Sequence, residues 1–190
     1  MNYRITFVTP ILGTAPLDEE IYANYILDSQ AVNGGADELA SIREDKGKTG
    51  FHRNEAGQPI LYDYVLKGFF KDACGMLSRM EGSESKKLKA YKKIIDGLIF
   101  VFPRQIVIQN AGDISTLQRP LRAQTAQGER VALAHSERIE AGAYIDLEIE
   151  MLDSKVVSPE LLAEWFNYGR LRGLGQWRNG SWGRFSWAKA

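Results

Sequence analysis

The thirteen residues from Gly173 to Phe185 (Gly-Leu-Gly-Gln-Trp-Arg-Asn-Gly-Ser-Trp-Gly-Arg-Phe) hold four glycines, two tryptophans and two arginines. Glycine lets a backbone come close to a ligand and adopt positive φ. Arginine offers a fork of donors to phosphate, and tryptophan offers a flat face to a base. Gly173, Gly175, Gly180 and Gly183 would shape such a loop, and Arg178 and Arg184 would meet phosphate. Trp177, inside the run, is the better stacking candidate, because Trp182 shares a face of the expected last strand with Arg184 and Ser186 and reads as core. The competing reading is a tight turn that needs glycine for packing alone.

Other residues carry chemistry with weaker spacing. Arg119, Arg122, Arg130 and Arg138 fall on one expected hairpin, where they could grip a phosphate backbone or wedge between bases. Lys67 and Lys71 stand one helical turn apart, with Asp63 one turn before. They serve a phosphate, or they form a solvated lysine face. His52, beside Arg53, and His135 invite a metal-independent ribonuclease, with imidazole as general acid or base. Neither lies in a diagnostic motif, and a lone surface histidine is more often inert. Asp37, Glu38, Glu44 and Asp45 could hold a divalent cation, but their spacing matches no calcium or magnesium loop, and a polar loop explains them. There is no P-loop, dinucleotide fingerprint or Gly-x-Ser-x-Gly elbow. No metal or other cofactor is expected.

Composition narrows the class. The chain has 190 residues and no net charge, is 44% hydrophobic and 25% charged, and reads as one globular domain. A nucleic-acid site must then be a local basic patch. Cys74 is the single cysteine, which excludes an internal disulfide and a cysteine cluster. With no signal peptide to read, a cytoplasmic location is expected. No apolar run approaches membrane-spanning length, so no membrane partner is expected.

The elements that must position these residues follow from periodicity. Tyr3, Ile5 and Phe7 alternate with polar neighbours and predict a first strand over 2–9. Residues 18–59 are polar, weakly periodic and glycine-bearing, and read as a long insertion. Residues 61–80 read as a helix burying Leu61, Val65, Phe69, Ala73 and Leu77. The lysine-rich stretch 85–95 (Lys86, Lys87, Lys89, Lys92, Lys93) starts a second helix or forms a basic loop. Strands follow at 98–102 and 105–108, interrupted by Pro103. A hairpin over 119–138 turns at Gln127-Gly128. Residues 143–152 alternate cleanly, with Ala143, Ile145, Leu147, Ile149 and Met151 inward. Ser158-Pro159-Glu160 caps a helix with Leu161, Leu162, Trp165, Phe166 and Gly169 on its buried side, Gly173 ends it, and a last strand runs over 181–187. Without insertion and hairpin, the order is βαββαβ: an α+β, ferredoxin-like (RRM-like) domain.

Four ordered segments resemble the RAMP superfamily of CRISPR-associated proteins, in particular the Cas7 backbone subunits of type III complexes. Residues Ile5 to Gly13 (Ile-Thr-Phe-Val-Thr-Pro-Ile-Leu-Gly) are similar to the family's opening strand and glycine turn. Gly57-Gln58-Pro59-Ile60-Leu61, followed by Leu66-Lys67-Gly68, resembles the segment that opens the family's first helix. Glu137-Arg138-Ile139-Glu140-Ala141-Gly142-Ala143-Tyr144-Ile145 resembles the entry to its long strand. The glycine-rich run is similar to the loop before its last strand. Where the family has Pro-Gly-Ser-Ser, this chain has Tyr62-Asp63-Tyr64-Val65. The aspartate with which type III members cut RNA aligns with Gly47, two residues from Asp45, so cleavage is not carried over.

The resemblance implies a RAMP domain binding single-stranded guide RNA through Lys67, Gly68, the glycine-rich loop and a thumb-like hairpin at 119–138. Its partners would be other copies of itself or Cas effector subunits. Two alternatives stay open: a metal-independent endoribonuclease of Cas6 type, and a mobile-element mimic that blocks a host effector complex through protein contact.

Overall fold

Tyr3, Ile5 and Phe7 alternate along β1 (Asn2–Phe7), and all three are buried. In the computed structural model, residues 1–17, 48–125 and 128–190 are described, with the backbone alone over 120–125 and 128–134. β1 pairs antiparallel with β11 (Tyr144–Met151), Ile5 opposite Ile145, and with β12 (Phe185–Lys189), Phe7 opposite Phe185. On its other edge β11 pairs with β7 (Ile99–Phe102), so this sheet runs β12-β1-β11-β7.

Two long helices supply most of the helical side of the core beside this sheet. Helix α1 (Asp63–Leu77) buries Leu66, Phe69, Phe70, Ala73, Cys74 and Leu77. Helix α3 (Pro159–Arg172) buries Leu161, Leu162, Trp165, Phe166 and Gly169, the side expected from sequence. The Ser158 side chain accepts from the Leu161 amide, as an N-cap does. Phe166 packs on Tyr3 at 5.0 Å and on Trp187 at 5.3 Å between ring centroids, which welds α3 to the sheet. A shorter helix, α2 (Tyr91–Leu98), leads into β7.

A second sheet carries the hairpin. β9 (Ser115–Thr125) and β10 (Gly128–Ile139) pair from Gly128 opposite Thr125 down to Arg138 opposite Ser115. The root of β10 also pairs with β2 (Ile11–Leu12) and, in parallel, with β4 (Lys48–Gly50), which joins β3 (Ala15–Pro16). A third sheet, β5 (His52–Arg53), β6 (Pro59–Tyr62) and β8 (Gln105–Val107), feeds directly into α1.

The architecture is mixed α+β, and several local expectations change. Leu61 and Tyr62 are strand, and α1 starts at Asp63, because Tyr62 holds extended backbone (φ −83°, ψ 151°). The stretch 85–95, read as a second helix start or a basic loop, splits into a 3-10 turn (Glu84–Lys87) and α2. The last strand begins at Phe185, so Trp182 stands in a turn, half-buried rather than core. The hairpin arms are longer than expected, and the turn placed at Gln127-Gly128 falls partly outside the described residues. Of the insertion, residues 18–47 lie outside the described residues, whereas 48–50 and 52–53 are short strands. Among the described residues no helix is long and apolar enough to cross a membrane.

Candidate nucleic-acid interface

The glycine-rich loop closes on itself at its neck. The Leu174 amide donates to the Gly183 carbonyl (2.8 Å), and the Gly183 amide donates to the Pro10 carbonyl (2.8 Å). Gly183 has φ +68°, and a Cβ there would lie 1.9 Å from the Leu174 oxygen. Gly173 faces the Trp182 oxygen in the same way, at 2.2 Å. Both are therefore required by backbone crossing, independent of any ligand. Gly175 packs against Leu12 and Ile11, while Gly180 is exposed at the tip. Trp177 and Trp182 are both half-buried.

The loop arginines have partners within the chain. Arg178 Nη1 lies 3.0 Å from Asp72 Oδ2 on α1, and Arg172 Nε meets the same oxygen at 3.0 Å. Arg172 also donates to Asn179, and Arg184 Nε donates to the Leu171 carbonyl (2.9 Å). One carboxylate between two guanidiniums leaves a local excess of positive charge. Each guanidinium carries five N–H donors, so Arg178 has donors to spare.

Gln176 brings the loop to the root of the hairpin. Its Oε1 accepts from Thr49 Oγ1 on β4 (2.8 Å) and Ser136 Oγ on β10 (3.5 Å). Beside them a cleft of about 280 Å³ is lined by Lys48, Thr49, Gln118, His135, Ser136 and Glu137, among others. Glu137 accepts from the Phe51 amide (2.9 Å) and pairs with Arg53 (2.8 Å), joining the β5 sheet to the same root. By register, positions 119, 130 and 138 fall on one face of the hairpin and 122 on the other. Arg119 is exposed, and Arg138 pairs with Glu140.

Lys67 and Lys71 lead elsewhere. Lys67 Nζ donates to the Asp96 carbonyl (3.2 Å) and lies 4.9 Å from the Phe100 ring centre, and Lys71 pairs with Asp96. Gly68 instead shares a helix stripe with Asp72, one turn on. It is exposed, and among the described residues nothing lies within 4 Å of where its Cβ would be. Packing does not demand glycine at this position.

The histidines stay apart. His52 is on β5, its ring edge-on to Tyr62 at 4.9 Å, and burial lowers its pKa, which keeps it neutral near pH 7. His135 is on β10, in a different sheet, with a buried Nδ1 that has no hydrogen-bond partner among the described residues. The two lie on different sheets and share no hydrogen bond or ring contact. Asp37, Glu38, Glu44, Asp45 and Gly47 lie outside the described residues.

The open face of the four-stranded sheet is acidic. Asp146, Glu148 and Glu150 alternate along β11, and the register sets Phe102 beside Glu148 and Phe100 beside Glu150. Arg4 alone answers them on β1, paired with Asp146 at 2.7 Å. A phosphate backbone laid across this face would be repelled. Arg172, Arg178, Gln176, Thr49 and Ser136 meet instead at the glycine loop and hairpin root. Sequence reasoning missed Asp72, Gln176 and Glu137 as the connectors. Each pairs across 39 or more intervening residues or bridges strands, which no local spacing reveals.

No protein-family model and no curated protein matches the sequence. Solved structures share its fold. A chain of the type III-B Cmr-beta complex bound to cognate target RNA superposes over 99% of this chain with a TM-score of 0.54 at 12% identity. This chain spans 58% of that chain's length. A chain of a type IV-B CRISPR complex matches over 100% of this chain and 89% of its own, with a TM-score of 0.50 at 9% identity. At such identities the shared property is the fold.

Proposed function

We propose that this chain is a Cas7-like RAMP subunit that binds single-stranded guide RNA and packs beside further copies or other Cas subunits in a cytoplasmic CRISPR effector complex. The observation that carries the reading is the fold match, which takes in nearly the whole chain against chains from two CRISPR complexes. The strand order β12-β1-β11-β7, all antiparallel, is the order a ferredoxin-like βαββαβ core requires, and it supports that finer description.

RNA runs past the glycine loop and the hairpin root, with the hairpin as a thumb. Gly173 and Gly183 build the loop neck, while Trp177, Arg178 and Gly180 are offered at its tip. Arg119, Arg122 and Arg130 supply phosphate contacts, and Gly68 extends the track along α1, while Lys67, turned to the Asp96 carbonyl, would have to release it to join. Such contacts position a strand and carry little sequence information.

The test is binding of a labelled single-stranded RNA, followed by anisotropy over a range of salt. Each phosphate contact contributes about −0.7 to the log–log salt slope. Replacing Arg119, Arg122 and Arg130 with Gln should flatten the slope by about 2. An unchanged slope removes the hairpin from the interface, and no binding at low salt removes the RNA-binding reading.

A further inference from the structure

The open face of the four-stranded sheet sets aromatic rings beside its carboxylates. Phe100 and Phe102 stand two residues apart on the edge strand β7, on the side away from the core, and are 37% and 43% exposed. Glu150 and Glu148 lie directly across from them on β11. Asp146 is answered by Arg4, and Glu148 has the chain's amino group at 3.9 Å. Glu150 is exposed and has no ion-pair partner among the described residues. Lys67 covers part of Phe100, which leaves Phe102 the more open ring.

A surface of the opposite kind lies at the N-terminal end of α3. A groove of about 410 Å³ there is lined by the apolar Leu88, Ile94, Val156 and Leu161 and by Lys87, Lys89 and Lys155. Lys86, Lys92 and Lys93 are exposed on the same segment. Lys87 pairs with Glu84, but Lys86, Lys89, Lys92, Lys93 and Lys155 have no carboxylate partner among the described residues. The chain carries no net charge, yet the two signs are set apart on its surface. No ion pair joins these lysines to Asp146, Glu148 or Glu150 within the chain. Helix α3 has 14 residues, so the groove stands about 20 Å from the glycine-rich loop at the other end of that helix.

We propose that the acidic, phenylalanine-bearing sheet face of one copy docks on the lysine-rimmed groove of the next. Phe102 meets the apolar floor, and Glu148 and Glu150 meet Lys89 and Lys155. The two surfaces differ, so the contact is heterologous and repeats from copy to copy instead of closing as a symmetric pair. Opposite charge on the two patches steers the encounter and fixes its register. RNA is the poorer occupant of the groove, because phosphates would use the lysines but not the apolar floor, and no aromatic ring lines it to stack a base. This rests on the part of the reading above that packs further copies side by side, and names the surfaces that do so; it needs no RNA.

The test is sedimentation of the full chain, freed of nucleic acid by nuclease. Wild type should associate with rising concentration, and less as salt rises. Glu148→Lys with Glu150→Lys should weaken association on the order of 100-fold, and Lys89→Glu with Lys155→Glu should do the same. Mixed in equal amounts, the two double variants should associate again, since their signs then match, and that recovery shows that both are folded. A wild type that stays monomeric at low salt overturns the docking. So do double variants that associate as wild type does, or a mixture that stays monomeric. Anisotropy with labelled single-stranded RNA on the same samples keeps the two readings apart. RNA binding without self-association removes this contact alone, and self-association without RNA binding removes the RNA reading alone. If Lys89→Glu with Lys155→Glu lowers RNA affinity and leaves association untouched, the groove is a nucleic-acid site and the docking is overturned.

Discussion

Replacing Gly183 with alanine puts a methyl group 1.9 Å from the Leu174 carbonyl oxygen, where ordinary contact begins at 3.4 Å. The loop neck must open by roughly 1.5 Å, the difference between those two distances. Opening breaks the 2.8 Å bond from the Leu174 amide to the Gly183 carbonyl, and Leu174 is only 1% exposed. A buried amide left without a partner costs about 1–3 kcal/mol. The φ of +68° adds about 1–2 kcal/mol for a residue with a Cβ. The sum is about 2–5 kcal/mol, which lowers Tm by roughly 5–20 °C for a chain of this size. Gly82→Ala is the control, since Gly82 has φ +80° with nothing within 4 Å of its Cβ position. It should lose only the backbone term, roughly 2–8 °C. Thermal melts followed by circular dichroism measure both. Equal losses in the two variants would refute the argument that backbone crossing fixes Gly183, and would return that glycine to a ligand role.

Glu164 gives a pH test. Burial raises its pKa, but hydrogen bonds from the Ser85 and Ser83 side chains and from the Ser85 and Glu84 amides outweigh that, and the net shift is below the ordinary 4.5. A lowered folded-state pKa stabilises above the unfolded value and is lost as pH falls through the folded one. Denaturation midpoints should therefore fall below about pH 4.5 more steeply in wild type than in Glu164→Gln; parallel profiles would contradict this. Asp72→Ala strips the shared partner from Arg172 and Arg178, whose side chains are about one-quarter exposed, so the loss should be about 1 kcal/mol. Limited proteolysis should then cut faster within 175–182, and an unchanged rate would show that Asp72 does not hold the loop.

Much of the frame is legible in the sequence because it repeats with a period. The alternation from Ile145 to Ile149 and the Ser158-Pro159 cap each specify their element locally. The start of α1 is hidden because Leu61, Val65 and Phe69 keep helical spacing across the junction. Leu61 is indeed buried, but from a strand. β4 and β5 are three and two residues long, too short to show a period, and exist through their pairing with β10 and β6. The loop's residue types are visible, but the Asp72–Arg178 contact spans 106 positions, so the internal use of that arginine is not. In sequence Tyr62 and Tyr64 are only a departure from a family motif; the strand-to-helix junction is what sets the two rings face to face.

We propose that this protein holds single-stranded RNA. The most direct test is the nucleic acid that comes away with the purified full-length protein. RNA in discrete, ladder-like lengths, accompanied by assemblies of matching size, is the predicted result. A nucleic-acid-free monomer that ignores single-stranded RNA at low salt would contradict it.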